Sequence, residues 1–330
     1  MSAPTLRPRT TAVGAAAEPG VGVTPVASIV TVGSAVVDHV CALSNLPEPD
    51  GGAFVTDRKR RGGGVAANVA CACAALGHDA AVVSRVGSDD DAAFILDSIR
   101  AWGVDADAVR RGDGDSSYTL VLRGPDGARM IVAGGDAVPR LRLHDADRDR
   151  LRAADVVFTS AYAPDPVVRE LVALRRAGGI DALAFDLAGP LPELDARGTA
   201  PGTIDSAAAV ADLFVANDVA AESYLGAAPE AAARALRSAG AGRVAVTAGA
   251  AGAYLAGAGA EPLHVPAREG DPVGTTGAGD QFTAALLHAW LLGDFDVRIA
   301  GRVAAAAAAR NCTAEGPRGN LAVPSALPDH

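Results

Sequence analysis

Gly274-Thr275-Thr276-Gly277-Ala278-Gly279-Asp280 is followed at once by an apolar run with helical spacing. Small residues in this stretch let backbone N–H groups converge on an anion. The helix that follows begins with its positive dipole end at the same point. Asp280, at the mouth of that helix, would repel a bound phosphate, so its placement needs a reason. The reason that fits is proton acceptance from a hydroxyl about to attack that phosphate.

Outward from this stretch, composition sets limits. A chain of 330 residues makes one large domain or two small ones. Hydrophobic residues are 49% but aromatics only 4%, so Ala, Val and Leu must fill the core. The net charge of −10 argues against a dedicated nucleic-acid binder. Lys59 is the single lysine, which excludes mechanisms built on any other catalytic lysine. Cys41, Cys71, Cys73 and Cys312 lack zinc spacing and read as reduced core thiols of a cytoplasmic protein. No uncharged apolar stretch is long enough to span a membrane. Residues 1–25, rich in Ala, Pro, Thr and Gly, read as a flexible tail without a secretory h-region.

Strand and helix signals then alternate over 26–330, read as one domain. Strands are expected at Val26–Val32, Ala80–Ser84, Asp155–Thr159, Ala182–Asp186, Asp212–Ala216 and Arg243–Thr247. Helices are expected at Gly64–Leu76, stopped by Gly77, and at Asp91–Trp102, stopped by Gly103. This rhythm implies a mainly parallel sheet covered on both faces. Two regions break it: about 36–58, and 115–134 with its Gly124-Pro125-Asp126-Gly127 hairpin signal. They read as a small β element projecting from the main domain.

Ligands of such sheets gather at the carboxyl ends of the strands. Asp38, the run Gly62-Gly63-Gly64 with Asn68, and the Asp280 loop should meet there. Asp38 and Asn68 suit vicinal hydroxyls, and the glycines let backbone approach a polyol. Taken singly, Asp38 also reads as a turn residue, Asn68 as a surface polar group and the glycines as a tight turn. A P-loop is excluded, and no strand-GxGxxG-helix unit is present. The phosphate site must therefore be built around Gly277–Asp280.

Two separated motifs resemble the ribokinase/PfkB-type carbohydrate kinases, over about residues 27–325. One is Gly63-Gly64-Val65-Ala66-Ala67-Asn68-Val69-Ala70, with Gly77 and Gly87 following. The other is Thr275-Thr276-Gly277-Ala278-Gly279-Asp280 with Phe282. Thr247-Ala248-Gly249 with Gly252, and Asn217 ahead of them, resemble the family's nucleotide side. The resemblance implies a three-layer α/β/α sandwich with a small β-sheet lid. It implies ATP as phosphoryl donor and Mg²⁺ bridging its phosphates. Asp280 would be the base, and the N–H groups of Gly277, Ala278 and Gly279 the anion hole. Asp38, Gly63, Gly64 and Asn68 would hold a sugar; Asn217, Thr247, Gly249, Gly252 and Thr275 would line the nucleotide side. A homodimer through the lid strands is a further expectation.

The chain also departs from the family pattern. Gly274 stands where relatives carry an aspartate that helps bind a monovalent cation, so the expectation of potassium activation does not carry over. The family's Asn-x-x-Glu reads Asn217-Asp218-Val219-Ala220, so no metal ligand is assigned. The run Arg58-Lys59-Arg60-Arg61 reads either as a solvated edge or as a site for an anionic substrate, since it leads into the sugar-side glycines. His288 reads as a helix-flank residue, and Trp102 and Trp290 as core. The functional expectation is an ATP-dependent kinase of a ribose- or ketohexose-like sugar. A nucleoside kinase, for which the lid offers Phe54 and Tyr118 but no clear stack for a base, and a non-catalytic sugar-binding relative are the alternatives.

Overall fold

Short apolar runs, buried on both faces, form the centre of the molecule. The computed structural model describes residues 24–328 except Gly127 and Ala260. The expected N-terminal tail therefore lies outside the described residues apart from Thr24 and Pro25. In chain order the first half contains β1 (Ser28–Val32), β2 (Val36–Leu43), β3 (Val55–Gly63), α1 (Val65–Ala75), β4 (Asp79–Val86), α2 (Asp90–Arg100), β5 (Val109–Arg111), β6 (Tyr118–Arg123), β7 (Arg129–Gly134) and α3 (Asp145–Ala153). Then come β8 (Val156–Ser160), α4 (Asp165–Arg176), β9 (Leu183–Asp186), α5 (Leu191–Ala196), α6 (Pro201–Ala208), β10 (Leu213–Asn217), α7 (Asp218–Leu225) and α8 (Pro229–Ser238). The last are β11 (Val244–Thr247), β12 (Ala253–Ala256), β13 (Leu263–Val265), α9 (Ala278–Leu286) and α10 (Val297–Asn311).

The main sheet has nine strands in the order β13-β12-β11-β10-β9-β8-β1-β4-β5. It is parallel from β11 to β5, and β12 and β13 add an antiparallel edge. Strand alternation sends neighbouring residues to opposite faces. Ile29 and Phe158 therefore join the core under α1, α2, α9 and α10. Val30, Val157, Phe185 and Phe214 join the core on the other face. The Phe185 and Phe214 rings lie 5.3 Å apart there. This is the expected three-layer sandwich. The antiparallel edge was not legible as strands, because Ala253–Ala256 and Leu263–Val265 are too short to show a period.

The regions that break the rhythm form a separate four-stranded sheet, β3-β2-β6-β7. β2 pairs β6 in parallel, while β2–β3 and β6–β7 are antiparallel. This lid extends further than the sequence suggested: β3 runs through the basic run to Gly63, where α1 begins. Trp102 does not pack in the core; it sits in the turn after α2 and is 37% exposed. The turn at Gly103 ends α2 before that side chain can join the helix's buried face. His288 is not a flank residue either. It is buried, with Nδ1 3.0 Å from His78 Nε2. Trp290 is buried as expected, and Cys41, Cys71 and Cys73 are buried free thiols. Among the described residues, no helix is long and apolar enough to cross a membrane.

Candidate active site

α1 and α9 are made largely of small side chains, so they can pack closely against one another. That packing brings two distant motifs into contact. Asn68, in the first turns of α1, donates from Nδ2 to Asp280 Oδ2 at 2.7 Å. Asp280 lies in the first turn of α9 and is 9% exposed. Burial is the main cause raising its carboxyl from an ordinary 3.8 to about 7. The negative charges of Asp186 and Asp38 push the same way, while the Asn68 hydrogen bond and Arg318 oppose them. A carboxyl that titrates near neutrality fits a proton acceptor better than a permanently charged group does.

Gly277 sets where α9 starts. Its φ is +81°, and a Cβ there would stand 2.3 Å from the Pro317 carbonyl oxygen. Only glycine fits that turn. Gly277, Gly279 and Asp280 line a cavity of about 140 Å³ with Asp186, Asn217 and Thr247. Of the expected trio of anion-binding amides, the Ala278 N–H donates to the Thr275 carbonyl at 3.3 Å in this structure. Gly277 and Gly279 remain on the cavity wall.

On the nucleotide side, Asn217 has a structural task. It caps α7 by accepting from the Ala220 N–H at 2.8 Å, and its Nδ2 donates to the Ala188 carbonyl at 2.8 Å. Thr247 ends β11, and Gly249 and Gly252 shape the turn from β11 to β12. Thr275 is placed elsewhere than expected. It lines the cavity under the lid, where its hydroxyl accepts from Arg129 Nη1 at 3.2 Å.

The residues expected on the sugar side come together in the structure. Asp38 lies on β2, buried, and accepts from the Thr119 hydroxyl at 2.6 Å. Burial raises its carboxyl above the ordinary value. Gly63 pairs with Val36, two residues from Asp38 along β2, and a Cβ there would meet Asp38 Oδ2 at 2.3 Å. Gly64 then caps the start of α1. Asp38 also lines the larger cavity, about 320 Å³, between the lid and the loop before α9.

Two residues join the site without having been singled out in the sequence. Arg318 donates from Nε to Asn68 Oδ1 at 2.9 Å and from Nη2 to the Gly63 carbonyl at 3.2 Å. It thereby fixes which way the Asn68 amide faces, with the donor end toward Asp280. Asp186, at the end of β9, accepts from the Ala188 N–H at 2.8 Å. Burial raises its carboxyl to about 6. Asp186 is the last residue of an expected strand, and strand-end position at a sheet's carboxyl edge was the available signal. For Arg318 the signal was weaker: a Gly316-Pro317-Arg318-Gly319 turn after an alanine-rich helix.

The chain belongs to the pfkB family of carbohydrate kinases, whose family model matches residues 26–323. It is therefore an ATP-dependent carbohydrate kinase by family. It is 31% identical over 283 residues to the ATP-dependent ribose-1-phosphate kinase of Halopiger xanaduensis, covering 85% of this chain and 90% of that protein. It is also 31% identical over 261 residues to the fructosamine kinase FrlD of Bacillus subtilis, covering 78% and 86%. Among solved structures, Arabidopsis thaliana ribokinase complexed with ribose and ATP matches with a TM-score of 0.75 at 24% identity, over 92% of this chain and 96% of that one. That likeness bears on the fold, and it agrees with the sandwich-plus-lid architecture.

Proposed function

We propose that this kinase transfers the γ-phosphoryl group of ATP to a hydroxyl of a ribose- or ketohexose-like sugar, with Asp280 as general base. The observation that carries this reading is the buried Asp280 carboxylate, poised near neutrality at the start of α9 beside Gly277 and Gly279. Asn68 engages Oδ2 and leaves Oδ1 for the acceptor hydroxyl. The ionised carboxylate takes the proton as the hydroxyl attacks, and the main-chain amides and helix dipole stabilise charge on the transferring group. Asp38, Gly63 and Asn68 position the sugar; Thr247, Gly249 and Gly252 line the nucleotide side. Relatives named ribokinase and deoxyribokinase support a pentose-sized acceptor.

Mg²⁺ is part of this proposal. Among the described residues no group of three or more His, Cys, Asp or Glu side chains could hold a metal alone. Mg²⁺ commonly binds through one or two carboxylates plus phosphate oxygens, so the phosphates of ATP would supply most of its ligands here. The bound ion would supply charge neutralisation. A cytoplasmic setting fits the free thiols.

A nucleoside acceptor is the second reading, since one relative is named a nucleoside kinase. The lid offers little to sandwich a base: Phe54 is 75% exposed and stands away from the cavity walls. Measuring ADP release with ATP and a panel of sugars, sugar phosphates and nucleosides tests the proposal. Turnover with a sugar or sugar derivative is expected. Turnover confined to nucleosides would replace it with the second reading, and sugar binding without any ADP release would remove catalysis. We also propose that a second copy covers the exposed apolar side chains Met130, Ile131 and Val132 of the lid's edge strand β7. A mass measurement finding only monomer at micromolar concentration would refute that.

A further inference from the structure

β3 carries the basic run, and strand alternation splits it in two. Arg58 and Arg60 face one way. Arg60 donates to Asp91 Oδ1 at 2.5 Å and stacks 4.4 Å over the Phe94 ring, both on α2. Arg58 Nη2 lies 3.5 Å from His39 Nδ1. Those two are tied into the contact between lid and α2. Lys59 and Arg61 face the other way, into the 320 Å³ cavity.

The neighbouring lid strands add to the same wall. Arg123 of β6 and Arg129 of β7 both line the cavity. They are direct cross-strand partners. Like charges placed opposite one another destabilise a sheet, and this pair sits at the hairpin end of the lid. Lys59, Arg61, Arg123 and Arg129 thus meet in one cavity whose carboxylates are Asp38 and Glu315.

Glu315 is the shared counter-charge. Its carboxylate lies 2.7 Å from Lys59 Nζ, 3.5 Å from Arg61 and 4.0 Å from Arg123. Lys59 also has Asp57 at 3.6 Å. Arg129 has no ion pair among the described residues; its Nη1 donates to the hydroxyls of Thr275 and Thr276 at 3.2 and 3.3 Å. Two carboxylates, Glu315 and Asp57, among three cations, with a fourth cation holding only hydroxyls, leave net positive charge on the wall facing Asp38. A neutral sugar could accept hydrogen bonds from these cations but would leave their charge uncompensated. A dianion would replace the missing counter-charge and relieve the Arg123–Arg129 opposition.

We propose that the acceptor sugar carries a phosphate monoester, held at the lid end of this cavity by Arg61, Arg123 and Arg129, while its free hydroxyl reaches Asp280. This rests on the kinase reading above and narrows its substrate class. Glu315 is the protein's own anion at that place, and the phosphate displaces it.

The test compares kcat/KM for ribose, ribose 1-phosphate, ribose 5-phosphate, fructose, fructose 1-phosphate, fructose 6-phosphate and gluconate, in the wild type and in Arg61→Ala, Arg123→Ala and Arg129→Ala. Calorimetric binding of the same compounds is measured in parallel. At least one sugar phosphate should exceed its neutral parent, and each substitution should cut that preference roughly 10- to 100-fold, the value of a charged hydrogen bond. KM for ATP should stay within about twofold. Glu315→Gln should tighten binding of the preferred sugar phosphate. Neutral sugars turned over as well as every phosphate would overturn the proposal. So would substitutions that raise KM for ATP and leave the preference intact, since the cations would then serve the donor. Gluconate as best acceptor would assign the charge to a carboxylate and overturn the phosphate. If no acceptor yields ADP, binding still decides. Sugar-phosphate binding weakened by Arg123→Ala keeps the anion site and removes the kinase reading, and no sugar-phosphate binding removes the site.

Discussion

The two ends of this site are built on opposite principles. Around Asp280, two packed helices of small side chains hold a buried carboxylate through the neutral amide of Asn68, itself oriented by Arg318. Under the lid, long charged side chains on a thin sheet share too few counter-charges. The first arrangement preorganises one reactive atom and strengthens every interaction there by excluding water. The second is half-exposed, so its individual ion pairs contribute little to stability and are free to be spent on recognition. On the proposed function, chemistry and selectivity fall to different layers of the fold. Substitutions at the two ends should therefore fail in different ways.

The largest effect is expected from Asp280→Asn. Loss of the base should lower kcat by about 10²–10⁴, read by ADP release with the preferred acceptor. The same change should stabilise the fold, and more so at high pH. Because the folded carboxyl titrates higher than in the unfolded chain, ionising it costs folding free energy. That cost is absent near pH 3 and complete above about pH 7, where it amounts to at most about 4 kcal/mol. Chemical denaturation of both proteins at pH 4.5 and 8 checks the sign. A gain that is larger at pH 4.5 would break the account of burial at this end.

Gly277→Ala comes next. It forces a left-handed φ on a residue with a side chain and drives a Cβ into the Pro317 carbonyl. Unfolding free energy should drop by about 1–3 kcal/mol, with activity lost beyond what stability explains. Asn68→Ala should act on the base more than on the fold. It removes the hydrogen bond that favours ionised Asp280, so the acid limb of the kcat/KM profile should move to higher pH. The smallest stability effect belongs to the lid. Glu315 is well exposed, and Glu315→Gln should change unfolding free energy by about 0–1 kcal/mol in denaturant titration. A loss of several kcal/mol would mean that the lid is a structural clamp, and the contrast between the two ends would blur.

The sequence made the first end more legible than the second. Buried parallel strands read as unbroken apolar runs, so β1, β4 and β8–β11 were found within a few residues. Asp280 and Asn68 announced themselves through glycine-rich surroundings that only close backbone approach explains. The lid was harder. Arg58-Lys59-Arg60-Arg61 is a charge run, and a charge run carries no hydrophobic period. Its period-2 division into α2-facing and cavity-facing residues appears only once β2 supplies the register. Arg318 and Glu315 come from a loop after α10, and nothing local ties them to α1 or β3, more than two hundred residues earlier. Asn217 has a task the sequence did not show: it lines the cavity beside Asp280, and both ends of its amide are engaged by α7 and the Ala188 carbonyl. Ala278 likewise has a local task, since its amide closes the turn that presents its neighbours.

One measurement bears most directly on the central claim that burial and neighbouring carboxylates tune Asp280 for proton acceptance. It is the pH dependence of kcat/KM for the preferred acceptor, in the wild type and in Asp186→Asn. The base must be ionised, so activity should fall as the pH drops through about 7. Removing the Asp186 charge should move that limb to lower pH, because that charge opposes ionisation of Asp280. A wild-type limb near pH 4, or one that Asp186→Asn leaves in place or moves upward, would contradict the account.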